Sequence, residues 1–253
     1  MNPKTEAERI EAFLKEVLQR TGKRKMLIAV SGGIDSAVSA TLCARAIGKN
    51  NLSLIRLPYL GLNTEGLQNA QTLVDFLDIP EENFYTKDIS DTVNILCKEL
   101  NVGDDRIRRG NIMARVRMIM IFDLAKKIDG LVCGTENKSE HHLGYFTRFG
   151  DEASDIEPII HLYKTKIYEL ANFLGLPENL ILQSPTAGLW QGQEDEAQLG
   201  FTYKEADRFL HLYFDEKVPR DAISLREFPN LARIEKKIKE NSFKKKVPYR
   251  LQD

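Results

Sequence analysis

Ile10, Phe13, Leu14, Val17 and Leu18 recur at helical spacing, and the polar run "TGKRK" at 21–25 ends the pattern. Residues 26–30 are apolar without interruption, which predicts a short strand buried on both faces. The alternation then renews itself. A helix is predicted after Asp35, a strand in "NLSLIRLPY" at 51–59, a helix within 63–78, a strand in "NFYTKDI" at 83–89, a long helix over 112–127 and a strand in "GLVCGT" at 130–135. Strand–helix repetition of this kind predicts a parallel, doubly wound α/β sheet flanked by helices, with ligands beyond the carboxyl ends of the strands. Two stretches, 136–157 and 184–196, are polar and glycine-bearing with little periodicity. Both carry aromatics, which favours functional lids over disorder. Beyond Tyr203, amphipathic segments around 209–214 and 231–238 predict a C-terminal helical extension that ends in the basic "FKKKVPYR".

A chain of 253 residues that is 42% hydrophobic can bury one sizeable core. It reads as a single domain over 1–253, with the core sheet at about 22–183 and the lid and extension at about 184–253. Lys and Arg number 36 against 37 Asp and Glu, so no overall field attracts nucleic acid or an anionic membrane. Cys43, Cys97 and Cys133 lie far apart without a CxxC pair, as expected of buried thiols in a reducing compartment. No run approaches about eighteen apolar residues and the N-terminus lacks an export pattern, so a cytoplasmic protein is expected.

The strand at 26–30 runs into "SGGIDS" at 31–36, and a helix follows. A glycine turn between strand and helix presents backbone N–H groups and the positive end of a helix dipole, which suits phosphate. Ser31 and Ser36 add hydroxyls, and Gly32 and Gly33 allow close approach. Asp35 would repel a phosphate unless a cation lay between them, so the aspartate predicts Mg²⁺. Neither G-x-x-x-x-G-K-[ST] nor G-x-G-x-x-G is present, which argues against a P-loop kinase or GTPase and against a dinucleotide fingerprint. The adjacent His141 and His142 have no ligand framework around them, and Arg108, Arg109 and Arg117 read as a solvated helix face.

"SGGIDS" after a buried strand resembles the pyrophosphate-binding loop of the N-type ATP pyrophosphatases, which share the adenine nucleotide alpha hydrolase-like fold. Ala29 stands where many members carry glycine. "GTENKSE", "GYFTRFGDEASDIEPI", "LYKTKIYELANFLGLP" and "SPTAGLWQGQEDE" together resemble the ammonia-dependent NAD synthetases, from about Lys25 to the basic tail. That resemblance implies ATP-dependent amidation of deamido-NAD to NAD through an acyl-adenylate, with AMP and pyrophosphate released. It implies ATP contacts from Ala29, Val30, Ser31, Gly32, Gly33, Ile34, Asp35, Ser36, Thr135, Lys164 and Thr186. Asp35 and Glu140 would hold Mg²⁺, and Lys164 would supply the lysine that the loop lacks. Arg115, Tyr145, Phe146, Arg148 and Asp155 match deamido-NAD positions, with Arg148 where other members carry lysine. In the tail Phe243–Lys244 stands where many members place a His-Lys pair. Asp151 is the candidate to hold ammonium, and the family's two-fold arrangement implies a homodimer. Another adenylating pyrophosphatase, or a regulatory module that binds ATP without turnover, is the alternative.

Overall fold

In the computed structural model, which describes residues 1–251, Asn2 caps helix α1 (Pro3–Thr21) by accepting from the N–H groups of Lys4 and Thr5. Left-handed Gly22 closes the helix. Strand β1 (Lys25–Ala29), α2 (Ile34–Ile47), β2 (Leu52–Arg56), α3 (Thr64–Phe76), β3 (Phe84–Thr86), α4 (Ser90–Glu99), α5 (Arg106–Lys127) and β4 (Gly130–Val132) follow in order. The second half carries α6 (Lys138–Leu143), α7 (Lys164–Leu174), α8 (Glu178–Leu182), α9 (Asp195–Leu199), α10 (Tyr203–Leu210) and α11 (Leu231–Asn241).

The sheet runs β3-β2-β1-β4, and every strand pair is parallel. Met26 and Ile28 pack with α1, α2, α7 and α8 on one face, while Leu27 packs with α4 and α5 on the other. All three side chains are fully buried, as an uninterrupted apolar strand between two helical layers must be. Strand order moves outward from β1 to β3 on one side and resumes at β4 on the other, so the chain reverses direction across the sheet between β1 and β4. Ligand crevices open at such a reversal, above the carboxyl ends of the two strands. A third apolar cluster joins α10 and α11 to Leu143 and Tyr163, which fastens the C-terminal helices beside that crevice.

Three of the expected strands, β2, β3 and β4, are shorter than the stretches that predict them, and β1 keeps its length but starts one residue earlier. Helix α5 is longer than expected, beginning at Arg106 rather than 112 because Asp105 caps it, accepting from the Arg108 N–H at 3.0 Å. Helix α4 was not anticipated; its N-terminus has no side-chain cap to mark it. Helix α6 lies inside the stretch 136–157 that lacks periodicity, held by local capping rather than by an apolar stripe. Among the described residues no helix is long and apolar enough to cross a membrane.

Candidate active site

The β1–α2 turn is fixed by close backbone contact. Gly32 has φ +85°, and a Cβ there would lie 2.2 Å from the carbonyl oxygen of Gly66 on α3. Ser31 Oγ accepts from the Gly33 N–H at 3.2 Å, and Ser36 Oγ donates to the Gly33 carbonyl at 2.9 Å. Helix α2 has Gly33 as its N-cap with no side-chain capping bond, so the N–H groups of its first turn remain free for an anion.

Three elements meet over this turn. Lys164, the first residue of α7, is only 2% exposed and its Nζ donates to Asp35 Oδ2. The same nitrogen lies 3.5 Å from Glu140 Oε1 on α6. Asn137 ties the two carboxylates together: its Nδ2 donates to Asp35 Oδ1 at 3.0 Å, while its Oδ1 accepts from the Glu140 N–H at 3.0 Å in a capping box. Ser139 holds the lysine's backbone, accepting from the Lys164 N–H at 2.8 Å. Asp195 approaches from α9, accepting from Tyr145 Oη at 3.0 Å and from the Ala187 N–H at 3.1 Å.

The cluster carries more negative than positive charge. Burial, and then repulsion from Asp35, push the Glu140 carboxyl well above the usual range despite Lys164. Burial also raises Asp195. Burial acts to lower Lys164, but the Asp35 and Glu140 carboxylates more than offset it and hold the ammonium charged. Surplus carboxylate oxygen beside a helix end with free N–H groups fits a hard divalent cation. Among the described residues no three His, Cys, Asp or Glu side chains gather as a complete cage. Mg²⁺ suits that set, since it takes one or two carboxylates and fills its other positions with phosphate and water.

A cleft of about 510 Å³ opens above these groups. Its lining includes Ala29, Val30, Ser31, Gly33, Ile34, Asp35, Ser36, Thr135, Glu140, Tyr145, Phe146, Asp151, Lys164, Thr186 and Lys244, so most of the residues expected at the site converge there. Gly32 instead turns toward Gly66. Arg115, Arg148, Asp155 and Phe243 lie outside the lining. Arg115 donates to the Arg148 carbonyl at 3.3 and 3.2 Å, and the Arg148 guanidinium sits 5.4 Å from the ring centres of both Phe149 and Phe243. Asp155 accepts from the Val132 N–H at 2.8 Å and closes the end of β4. Lys244 donates to the carbonyls of Gly144 and Phe146 at 2.8 and 2.9 Å, so the basic tail folds back over the aromatic pair. Arg117 lines the cleft, with its Nε donating to the Leu57 carbonyl at 3.1 Å. Trp190 is part of the same wall, and the lid-like stretches 136–157 and 184–196 both contribute to it.

A second acidic group adjoins this wall. Glu157 accepts from Ser154 Oγ at 2.7 Å and from the Glu136 N–H at 3.2 Å, and its carboxyl packs against Gly134, where a Cβ would lie 1.8 Å from its Oε1. Burial, with repulsion from Glu136 and Asp151, pushes Glu157 up to about 8. Asp151 is open to the water of the cleft yet walled by protein on its other sides, and the resulting desolvation raises it as well.

Asn137 and Asp195 were not anticipated from the sequence. "NKSE" is a capping-box pattern and marks Asn137 as a helix start, but nothing in the pattern shows that its amide reaches Asp35. Asp195 sits in the acidic run "QEDE", which reads as a solvated face; its burial depends on Tyr145 and Tyr203 from elsewhere in the chain.

The family model described as NAD synthase matches residues 6–248. The NH(3)-dependent NAD(+) synthetase of Chlorobium phaeovibrioides is 40% identical over 243 residues, covering 95% of this chain and 86% of that protein. Among solved structures, an NMN synthetase from Francisella tularensis superposes with a TM-score of 0.88 at 32% identity and covers 100% of both chains. The NH3-dependent NAD synthetase of Campylobacter jejuni superposes with a TM-score of 0.80 at 30% identity, covering 99% of this chain and 100% of that one. With the glycine turn, the lysine-bridged carboxylates and the cleft in place, the chain belongs to the NAD synthase family.

Proposed function

We propose that the protein is a carbon–nitrogen ligase that amidates deamido-NAD to NAD with ammonia, consuming ATP and releasing AMP and pyrophosphate. The observation that carries this reading is the meeting of Lys164 with Asp35 and Glu140 at the uncapped start of α2. A binding module has little use for two buried carboxylates and a lysine there, and the relatives favour neither that alternative nor a different adenylating enzyme.

A carboxylate resists ammonia because it is anionic and its leaving group would be oxide. Attack of a substrate carboxylate oxygen on the α-phosphorus of ATP forms a mixed anhydride and breaks the bond to pyrophosphate. Ammonia then adds to the acyl carbon and AMP departs. The free N–H groups of α2 and the Lys164 ammonium would hold the leaving pyrophosphate, with Thr135 and Thr186 lining the nucleotide's path. Asp35 and Glu140 would hold Mg²⁺, which when bound neutralises charge on the phosphates. Tyr145 and Phe146 offer a face for the pyridine ring, and Lys237 and Lys244 offer cations for a diphosphate. Arg115, Arg148, Asp155 and Phe243 would serve the substrate from the rim rather than from the cleft wall. Asp151, facing the cleft, would hold ammonium and take its proton. The two lid stretches would shield the anhydride from water.

This reading includes one domain over the whole chain, a cytoplasmic location and a homodimer. Exposed Ile95, Leu96 and Leu100 at α4, with Ile107 and Ile119 on α5, supply an apolar surface for a second copy. A second substrate reading is the mononucleotide acid in place of the dinucleotide, favoured by the full-length match to the NMN synthetase fold. Purified protein incubated with Mg-ATP, ammonium or glutamine, and either nicotinate nucleotide decides among these. The expected outcome is NAD and AMP in equal amounts with ammonium and little product with glutamine. ATP binding without AMP would sink the ligase reading, and product from the mononucleotide alone would change the substrate.

A further inference from the structure

Asn69 is a buried amide on α3, only 4% exposed, and both of its ends are occupied. Its Oδ1 accepts from Asn179 Nδ2 of α8 at 2.7 Å, and its Nδ2 donates to Gln183 Oε1 at 2.7 Å. Thr72 fixes the direction of this chain. Its hydroxyl donates to the Gln68 carbonyl at 3.2 Å, so what it presents to Asn179 Nδ2, 3.5 Å away, is a lone pair. Three amides therefore run head to tail, each orienting the next. Gln183 is the last of them, and it lines the cleft where α8 gives way to the stretch 184–196.

With its oxygen committed to Asn69, the Gln183 carboxamide turns its nitrogen away from that bond. Nε2 has no hydrogen-bond partner among the described residues and stays accessible to water. Two N–H donors held in one direction at a cleft wall suit a ligand that brings acceptors. The position narrows which ligand. Asn69 stands three residues, about 4.5 Å, along α3 from Gly66, and the Gly66 carbonyl meets Gly32 of the glycine turn. Thr186, three residues after Gln183, lines the same wall. An anion resting on the free N–H groups at the start of α2 therefore has Gln183 beside it, and phosphate oxygens are the acceptors it offers.

We propose that Gln183 Nε2 is a further donor to the terminal phosphates of the bound nucleotide, and to the pyrophosphate they become, with Asn69 as the residue that positions it. The fate of those phosphates rests on the ligase reading above. The buried amide chain holds the donor in place before the ligand arrives, so little side-chain freedom is lost on binding.

Calorimetric titration of the full chain with Mg-pyrophosphate, Mg-ATP and AMP tests this without turnover. Gln183→Met removes the donor and keeps the length of the side chain. It should weaken pyrophosphate and ATP by about 10- to 100-fold, the factor one hydrogen bond to a charged group is worth. AMP, which lacks the terminal phosphates, should bind as it does to wild type. Gln183→Glu still accepts from Asn69 but turns an oxygen toward the phosphates, so its loss should be larger, and it gives the readout alone if Gln183→Met does not fold. Asn69→Ala should weaken pyrophosphate relative to AMP, whereas a merely structural Asn69 would lower the melting temperature and leave that ratio unchanged. Pyrophosphate affinity that neither Gln183 variant changes overturns the role, as does an equal loss for AMP or a wild type that does not bind pyrophosphate. Wild-type protein that binds pyrophosphate through Gln183 yet makes no amide retains the donor and loses the ligase reading.

Discussion

Asn137 Nδ2 donates to Asp35 Oδ1 at 3.0 Å across 102 residues of chain, while Asn137 Oδ1 caps the helix that carries Glu140. One fully buried amide therefore sets the spacing of the two carboxylates through both of its ends. Asn137→Ala should lose about 1 kcal/mol from the cap, with ~1–3 kcal/mol more from a carboxylate left short of a donor. Its effect on turnover should exceed its effect on folding, because groups that orient metal ligands are worth about 10- to 100-fold in activity or metal affinity. Thermal unfolding and the Mg²⁺ dependence of kcat/KM, measured side by side, check this; a loss of stability with normal Mg²⁺ dependence would confine Asn137 to capping.

Among the described residues, Lys164 is the cation set between Asp35, Glu140 and Asp195. Lys164→Met should destabilise the free protein by about 3–5 kcal/mol, the cost of stranding buried charge. Loss of a donor to the departing pyrophosphate should lower kcat about 100- to 1,000-fold. Added Mg²⁺ should raise the melting temperature of Lys164→Met more than that of wild type, since the cation can then neutralise the carboxylates alone. Lys164→Arg should not restore activity, because a planar fork does not fit a seat shaped for a compact ammonium. Equal Mg²⁺ shifts in both proteins would show that Asp35 and Glu140 are not the metal's carboxylates.

The sheet was legible because its signal is local. Met26 to Ile28 read as buried on both faces from composition alone, and the strand–helix alternation dictated parallel pairing with a crevice at the strand ends. Helices α4 and α6 were not legible, since one is short and starts without a side-chain cap and the other is held by a capping box within a polar stretch. The glycine turn between strand and helix was readable, yet the place of Asp195 beside it was not. Its burial is created by Tyr145 and Tyr203, which lie 50 and 8 residues away, and no local pattern encodes such a meeting. The approach of His141 Nδ1 to Glu136 Oε1 at 3.4 Å is likewise a property of packing, invisible until both side chains are placed.

The two glycines of the turn should separate under mutation. A Cβ on Gly32 meets the Gly66 carbonyl oxygen at 2.2 Å with φ +85°, so Gly32→Ala should lose at least the ~1–3 kcal/mol of a left-handed non-glycine residue. A Cβ on Gly33 meets only Ser31 Oγ at 3.3 Å, and φ there is −82°, so Gly33→Ala should fold nearly as wild type. Its methyl group would stand where phosphate approaches the first turn of α2, and the ATP KM should rise about tenfold or more, one good hydrogen bond's worth. Denaturant unfolding paired with ATP titration checks both; comparable stability of the two variants would contradict the close contact with α3.

Glu157 should make stability depend on pH in a direction opposite to that of an ordinary ion-paired carboxylate. Its carboxyl titrates near 8 in the folded protein against an ordinary 4.5, with burial the first cause. Between those values the folded protein keeps a proton that the unfolded chain has released, so stability falls as pH rises through the window. Glu157→Gln mimics the protonated acid and removes that slope. The amide cannot accept from both Ser154 Oγ and the Glu136 N–H, so the variant also carries a constant loss of ~1 kcal/mol that does not vary with pH. Melting temperatures taken without ammonium from about pH 5 to about pH 8.5 should therefore show the variant gaining steadily on wild type. Parallel curves across the range would mean that Glu157 ionises as it does in the unfolded chain.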